Sequence, residues 1–414
     1  MKSYDLIIVG GGIGGSALAI VMARGGKSVL LLEPLPVYQD RVCGEWLAPW
    51  GVAESRRLGL YDLLRNAGAH HVLRHVTYDE SRTPAESEAR ALPLGMFVPD
   101  VPGPLCIGHP HHCQTLYDEA GRAGATTSRG LHVTKVVTGA APSLCYEHNG
   151  TAHEVSAQLI VGSDGRTSTV RETAGIKLYQ DKPHHWFAGL LVDGAHGWDD
   201  QLQAIGTEGD FAFLAFPQGN DKVRLYGGYA LEQRKRFSGP DGRRDFLDCF
   251  RMVSAPDTKY LAAATPAGPL YSYFNNDSWT DAPCAPGVVL IGDAAGWNDP
   301  IIGLGLSITY RDVRVVSDIL KASEDWSVAA LKPYAEERRE RMRRLRFVAA
   351  LSATLDVEFD AAARERRRSY HQRAAADMSL ALHGIAVMGG PDAAPPETFT
   401  EEYRARVLGA SAAN

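Results

Sequence analysis

YDLIIVGGGIGGSALAIVMA, residues 4–23, leaves the chain few ways to fold. Its opening apolar run suits a strand buried on both faces, and the glycines that follow at once break that strand. Gly10, Gly12 and Gly15 fit G-x-G-x-x-G, with Ile13 inside the pattern. Each glycine answers a separate steric demand: a tight turn, close approach of a pyrophosphate, and close packing of the next helix on the sheet. The helix expected over about residues 14–24 aims its free N–H groups and positive dipole end at that pyrophosphate. A second apolar strand, SVLLLE, then ends in Glu33, where an acid is placed to accept from the ribose hydroxyls of an adenosine.

Two later stretches repeat the passage from apolar strand to glycine and acid. AQLIVGSDGRTSTVRETAGI, residues 157–176, runs from a strand into Asp164-Gly165 and a short helix. GVVLIGDAAGWNDPIIGLGLS, residues 287–307, ends its strand at Asp293 and leads into a helix with an apolar stripe. Taken alone, each Asp-Gly pair is also an ordinary turn signal.

Together, in this order and spacing, the three stretches resemble the flavoprotein monooxygenases of the para-hydroxybenzoate hydroxylase type. The resemblance runs from residue 4 to about 320. It implies an α/β protein: an FAD-binding Rossmann-like domain of the glutathione reductase type, a second, mainly antiparallel β-sheet domain for substrate, and a helical C-terminal region. The corresponding boundaries are 1–72, 105–175 and 276–327 for FAD, 73–104 and 176–275 for the substrate sheet, and 328–414 for the helices. By the same resemblance Asp293 accepts from the ribityl chain, Asp164 and Gly165 lie near the pyrophosphate and the nicotinamide path, and Pro300, Gly303, Gly305 and Leu306 lie against the flavin ring. Asn298, Asp299 and Pro300 are the catalytic candidates, because Gly296-Trp297-Asn298-Asp299 stands where the family commonly has a histidine or similar residue.

DRVCGEWLAPWGVAESRRLGLYD, residues 40–62, resembles a stretch of squalene epoxidases. It implies Arg41 at the FAD phosphates or ring edge, with Cys43, Gly44 and Glu45 lining the flavin cavity. In GHPHHCQTLYDEAGRAGATT, residues 108–127, His109 takes the place of a glutamine that reaches FAD, and Val133 beyond it is a further expected FAD contact. The crowded His109, His111, His112 and Cys113 suggest a metal, but neighbours on a helix do not all face one ion. No metal is expected there, nor at the histidine pairs 70–71 and 184–185, read as surface or pocket-lining.

The resemblance implies an FAD-dependent, NAD(P)H-consuming monooxygenase that hydroxylates or epoxidises an apolar aromatic or olefinic small molecule with molecular oxygen, through a flavin C4a-hydroperoxide. Trp46, Phe213, Phe216 and Tyr226 are the expected substrate-pocket walls. Cys43-Gly44-Glu45 also resembles the geranylgeranyl reductases and supports an alternative FAD-dependent alkene reductase, although AFLAFP, residues 212–217, matches their aromatic motif poorly. A halogenase of this fold needs a lysine, and none lies between Lys27 and Lys135. A flavin-free binding protein, like the GDP-dissociation inhibitors, has no need of glycines and acids retained together in all three stretches.

Totals narrow the setting. A net charge of −6 gives no basic field for nucleic acid. Six scattered cysteines without a CxxC pair suit reduced thiols and a cytoplasmic place. No apolar run is long enough to span a bilayer, so no integral membrane segment is expected. The arginine-rich EERRERMRRLRF and AAARERRRSYHQR read as solvated helix faces, and the final GASAAN as frayed. Oligomeric state is left open.

Overall fold

The computed structural model describes residues 1–409; the tail expected to fray falls, but for Gly409, outside them. The glycine-punctuated opening forms the strand Lys2–Val9, the helix Ile13–Arg24 and the strand Val29–Glu33, the last buried at every position. These strands lie parallel at the centre of an eight-stranded sheet. Lys2–Val9 pairs with Thr151–Gly162 on one side and Val29–Glu33 on the other, and Val288–Leu290 and Thr126–Arg129 extend the parallel order outward. Gly10 has φ +100°, and a Cβ there would lie 2.3 Å from the Ser163 carbonyl oxygen. A Cβ on Gly15 would sit 1.9 Å from the Gly10 carbonyl oxygen, so helix and strand could not meet.

A second sheet stands beside the first. Its central strands are His185–Asp193, Lys222–Tyr229, Phe211–Gly219 and Leu202–Glu208, all antiparallel. Arg74–Asp79 joins Leu202–Glu208 in parallel, a departure from the antiparallel pattern that lets an early segment enter a late sheet. Asn220 and Asp221, with φ 54° and 58°, turn the central hairpin. Behind this sheet Phe211, Phe213, Phe237, Phe246 and Phe250 pack edge to face in a closed core.

The helix Gly305–Ala322 carries Leu306, Tyr310, Val313 and Leu320 at helical spacing on its buried face. The C-terminal region is helical, over Lys332–Asp356, Ala361–Ala376, Leu382–Met388 and Glu401–Leu408. Arg339, Arg343, Arg364 and Arg368 are exposed, as a solvated face requires, but three other arginines depart from that expectation. Arg338 and Arg341 are 1% and 3% exposed, and Arg367 is 2% exposed, each turned inward onto an aspartate. Asp312 accepts from Arg338 Nε at 3.0 Å, Arg341 Nη2 at 2.6 Å and the Gly292 N–H at 2.8 Å. Arg338 also donates to the carbonyls of Gly292, Ala295 and Gly296, closing around the GDAAG turn. No helix among the described residues is long and apolar enough to cross a membrane.

Removing the Asp312 charge leaves buried Arg338 without a carboxylate and Arg341 with Glu337 alone. Asp312→Asn is expected to lower the unfolding free energy by about 3–5 kcal/mol, read as a lower urea midpoint. An unchanged midpoint would show that the cluster contributes nothing net.

Candidate active site

One cavity of about 1920 Å³ runs from the glycine turn of the first sheet to the C-terminal helices. Its first arm gathers residues from all the glycine-bearing stretches. Gly10, Gly12, Ile13 and Glu33 line it from the first motif, and Arg41, Cys43, Gly44 and His109 from the segments that follow. Asp164 and Gly165 approach from the second motif, and Asp293, Pro300, Gly303, Gly305 and Leu306 from the third.

Their local chemistry suits a dinucleotide. A Cβ on Gly12 or Gly305 would meet nothing within 4 Å, so both backbones face open space. The first turn of the helix Gly305–Ala322 opens onto the same space, presenting the positive dipole end. Glu33 accepts from the Gly11 and Leu35 N–H groups at 2.8 Å each, which fixes its carboxylate; burial pushes its pKa up and these bonds oppose the shift. His109 keeps a buried Nδ1 without a partner, and burial lowers its pKa to about 4, so the ring is neutral. That orphaned nitrogen, the two open glycines and the fixed acid fit an FAD held along this arm.

Other expected residues have partners inside the protein. Asp164 accepts from Ser168 Oγ at 2.5 Å and the Val170 N–H at 3.2 Å, so it caps a short helix while lining the cavity. Asp293 pairs with Arg166 at 3.4 Å. Cys43 is open to the cavity yet deep in the protein, and burial pushes its thiol up to about 11, so it is not a thiolate at neutral pH.

Four expected site residues stand elsewhere. Gly15 is spent on helix packing rather than on the cavity wall. Val133 sits on the strand His132–Val137, paired across to Tyr146 and packed on a separate apolar cluster. Phe213 is fully buried in the closed core behind the second sheet, whereas Phe216 lines the cavity; positions three apart on one strand face opposite ways. Asp299 is buried just outside the wall. Its Oδ1 accepts from the Ile301 N–H at 2.9 Å, and His184 Nε2 lies 3.2 Å from Oδ2. Its neighbour Asn298 does reach the cavity, held by a hydrogen bond to the Asp277 carboxylate.

His184, His185 and Asp299 are donors of the kinds that hold transition ions. The two Nδ1 atoms, however, lie 2.7 Å apart and need one proton between them. The Asp299 carboxylate raises the pKa of His184 and burial lowers that of His185 to about 4, so His184 is the better placed of the two to carry the shared proton. The HPHHC run does not converge: His109 lines the cavity, His111 meets the Ala67 carbonyl, and His112 meets the Tyr310 hydroxyl.

The second arm is largely apolar, walled by Leu94, Phe187, Leu214, Phe216, Leu382 and Ile385 among others, and it includes the charged or titratable Arg82, Arg90, Asp356 and His371; Trp46 and Tyr226 also line the cavity. Two polar tracks that sequence reasoning missed hold those walls. Arg224, 1% exposed, pairs with Glu45 at 2.5 Å and with Asp40 at 2.7 Å, while the Tyr226 hydroxyl donates to Glu45 at 3.2 Å. Burial pushes the Tyr226 phenol well above its ordinary pKa and the Glu45 charge adds to the shift, which removes it as a base. Trp46 donates to Gln203 at 2.8 Å, and Gln203 to His75 Nδ1 at 3.1 Å, which leaves His75 Nε2–H for Thr77 Oγ1 at 3.0 Å. An arginine alternating with apolar residues in VRLYGG was the available signal for the first track. The second needed the parallel insertion of Arg74–Asp79.

Residues 3–347 match the family model described as FAD binding domain. Squalene epoxidase 2, mitochondrial, of Arabidopsis thaliana is 26% identical over 333 residues, covering 77% of this chain and 54% of that protein. The chain thus spans little more than half the length of the curated relatives it matches. The p-nitrophenol 4-monooxygenase of Pseudomonas putida DLL-E4 superimposes with a TM-score of 0.79 at 18% identity, covering 95% of this chain and 99% of that one. CmlS, a flavin-dependent halogenase, gives 0.76 at 17% identity, covering 98% and 76%. At these identities the structural likeness is one of fold.

Steric logic separates two kinds of glycine in this arm. Gly305→Val is expected to leave the thermal midpoint of the FAD-free protein within a few degrees and to cut FAD affinity at least about tenfold, because its branches enter open space. Gly10→Ala meets the Ser163 carbonyl instead and is expected to cost about 1–3 kcal/mol of stability. Equal FAD binding by Gly305→Val and wild type would mean that this backbone does not face the cofactor.

Proposed function

The chain belongs to the FAD binding domain family, and from that membership we propose a flavin-dependent monooxygenase that oxygenates an apolar aromatic or olefinic small molecule at the expense of NAD(P)H. One observation carries the reading. The dinucleotide-shaped arm and the apolar arm form a single cavity of about 1920 Å³. A pocket for one small ligand is roughly 300–1,000 Å³, so this cavity has room for a second molecule end to end with the first.

Bound FAD supplies the redox chemistry, taking electrons from NAD(P)H and activating molecular oxygen. The chain's own residues position, exclude water and stabilise charge. Gly12 and the first turn of Ile13–Arg24 receive the pyrophosphate, and Glu33 the adenosine ribose. Asp293 and the unpartnered Nδ1 of His109 are the polar groups for the middle of the cofactor. Pro300 to Leu306 back the ring, and the N-terminus of Gly305–Ala322 stabilises negative charge on it. Phe187, Leu214 and Phe216 on the facing sheet exclude water from the reacting side. No protein nucleophile is required, and Cys43, protonated at neutral pH, offers none.

The test uses the FAD-loaded enzyme with NADH or NADPH, labelled molecular oxygen and a set of apolar aromatic and olefinic compounds. At least one compound is expected to raise NAD(P)H consumption about tenfold or more and to leave with one labelled oxygen atom. A product carrying two added hydrogens and no label would replace this reading with the alkene reductase.

A further inference from the structure

The family match ends at residue 347, yet the cavity does not. Ser352, Leu355 and Asp356, on the last turn of the helix Lys332–Asp356, line the apolar arm, and Tyr370 and His371 line it from the next helix. Asp356 is an anomaly there. Among the described residues no hydrogen-bond donor or ion-pair partner reaches its carboxylate, and the helix ends beside it with its negative pole. The cation that acts on it, Arg367, donates through Nε to Asp79 at 2.9 Å and through Nη1 to the carbonyls of Leu355 and Glu358, while its buried Nη2 makes no hydrogen bond, to Asp356 or to any other group described.

Asp356 also lies near the loop that follows Pro300. Asp356 shares a small secondary cavity with Ile301, the residue after Pro300 in the loop that backs the flavin arm. Ile301 packs against the Val357 cluster, which ties the end of this helix to that loop. An unpartnered carboxylate inside an apolar chamber carries a desolvation cost unless a ligand supplies a donor.

We propose that Asp356 is the specificity-determining group of the substrate arm, accepting a hydrogen bond from a hydroxyl on an otherwise apolar aromatic substrate. This rests on the monooxygenase reading and narrows its substrate class to phenols and related hydroxylated aromatics. A neutral hydroxyl satisfies the carboxylate without bringing a second charge into the chamber. The carboxylates Glu33, Glu45, Asp164 and Asp293 belong to the glycine-bearing stretches and the segment beside them, Arg82 and Arg90 can only donate, and the remaining ionisable groups are poorer acceptors. Tyr226 already donates to Glu45, His75 already serves Gln203 and Thr77, and His371 is held down to about 4 mainly by burial. Around Asp356 burial is the larger influence and the Asp79 charge adds to it, against the opposing Arg367, leaving its carboxyl raised to about 7. Tyr370 and His371 line the arm beside it and are uncharged at neutral pH; Arg82 and Arg90 also line the cavity, Arg82 acting on both and Arg90 on His371.

Equilibrium dialysis of the FAD-loaded enzyme, without NAD(P)H, against 2-naphthol and 2-methylnaphthalene tests this. Wild type is expected to prefer the naphthol about tenfold or more, with the preference growing as pH rises from about 6 to about 8 because the carboxylate is the better acceptor. Asp356→Asn and Asp356→Leu are expected to bring the two ligands within about twofold of each other while keeping affinity for 2-methylnaphthalene, which also shows that the chamber is intact. No preference in wild type, a preference that survives both variants, or failure of both ligands to bind would overturn the proposal. Because no turnover is involved, the two readings fail separately. An enzyme that oxygenates other compounds but shows no Asp356-dependent preference loses only this inference. One that shows the preference but never incorporates labelled oxygen loses only the monooxygenase reading.

Discussion

The Asp312 carboxylate, enclosed by Arg338 and Arg341, fixes the position of the third glycine-bearing stretch against the flavin arm. It joins the helix that begins at Gly305, the long helix after Lys332 and, through the Gly292 N–H, the turn that ends the last parallel strand. A buried guanidinium cannot shed its charge; Asp312 is the carboxylate partner of Arg338 and shares Arg341 with Glu337, so a shift of either helix breaks the cluster. Arg338 also satisfies three carbonyls of the GDAAG turn, which a 3₁₀ turn leaves unpaired. The loop from Pro300 to Leu306 is therefore anchored on both sides, and its open glycines can face the cavity without the loop collapsing into it.

The same device recurs across the cavity. Arg224 reaches from the second sheet to Glu45 and Asp40, holding the segment with Cys43 and Gly44 over the first arm. Arg367 reaches from the C-terminal helices to Asp79 on the inserted strand. Buried arginines, single or paired, thus tie three walls around one space. Apolar packing alone would tolerate sliding between walls; a charge-assisted hydrogen bond in a low dielectric does not. This suits an enzyme whose protein part positions a cofactor and excludes water.

How much of this was legible follows the range of each interaction. The parallel core, the glycine cradle and most of the lining of the first arm could be read because each residue acts through neighbours a few positions away. Phe213 and Phe216 were read alike, although the period of a strand places them on opposite faces. Asp299 stood in the right stretch but is turned to His184 and the Ile301 N–H, while Asn298 beside it reaches the cavity. The charged C-terminal segments gave no hint of their inward arginines, since the acids that receive them lie far away in sequence: Asp312 on a preceding helix, and Asp79 on a strand 288 residues before Arg367.

Sequence by itself determined the strand–glycine–helix cradle, the acid at the end of the second strand and the bare backbone before the third helix, because steric exclusion at a glycine and the run of a buried strand are local properties. Tertiary structure decided which aromatic residues wall the second arm, which carboxylates are already engaged and which one, Asp356, is left facing the chamber. Those outcomes depend on what each side chain meets across the fold, and a partner hundreds of residues away leaves no mark on local pattern.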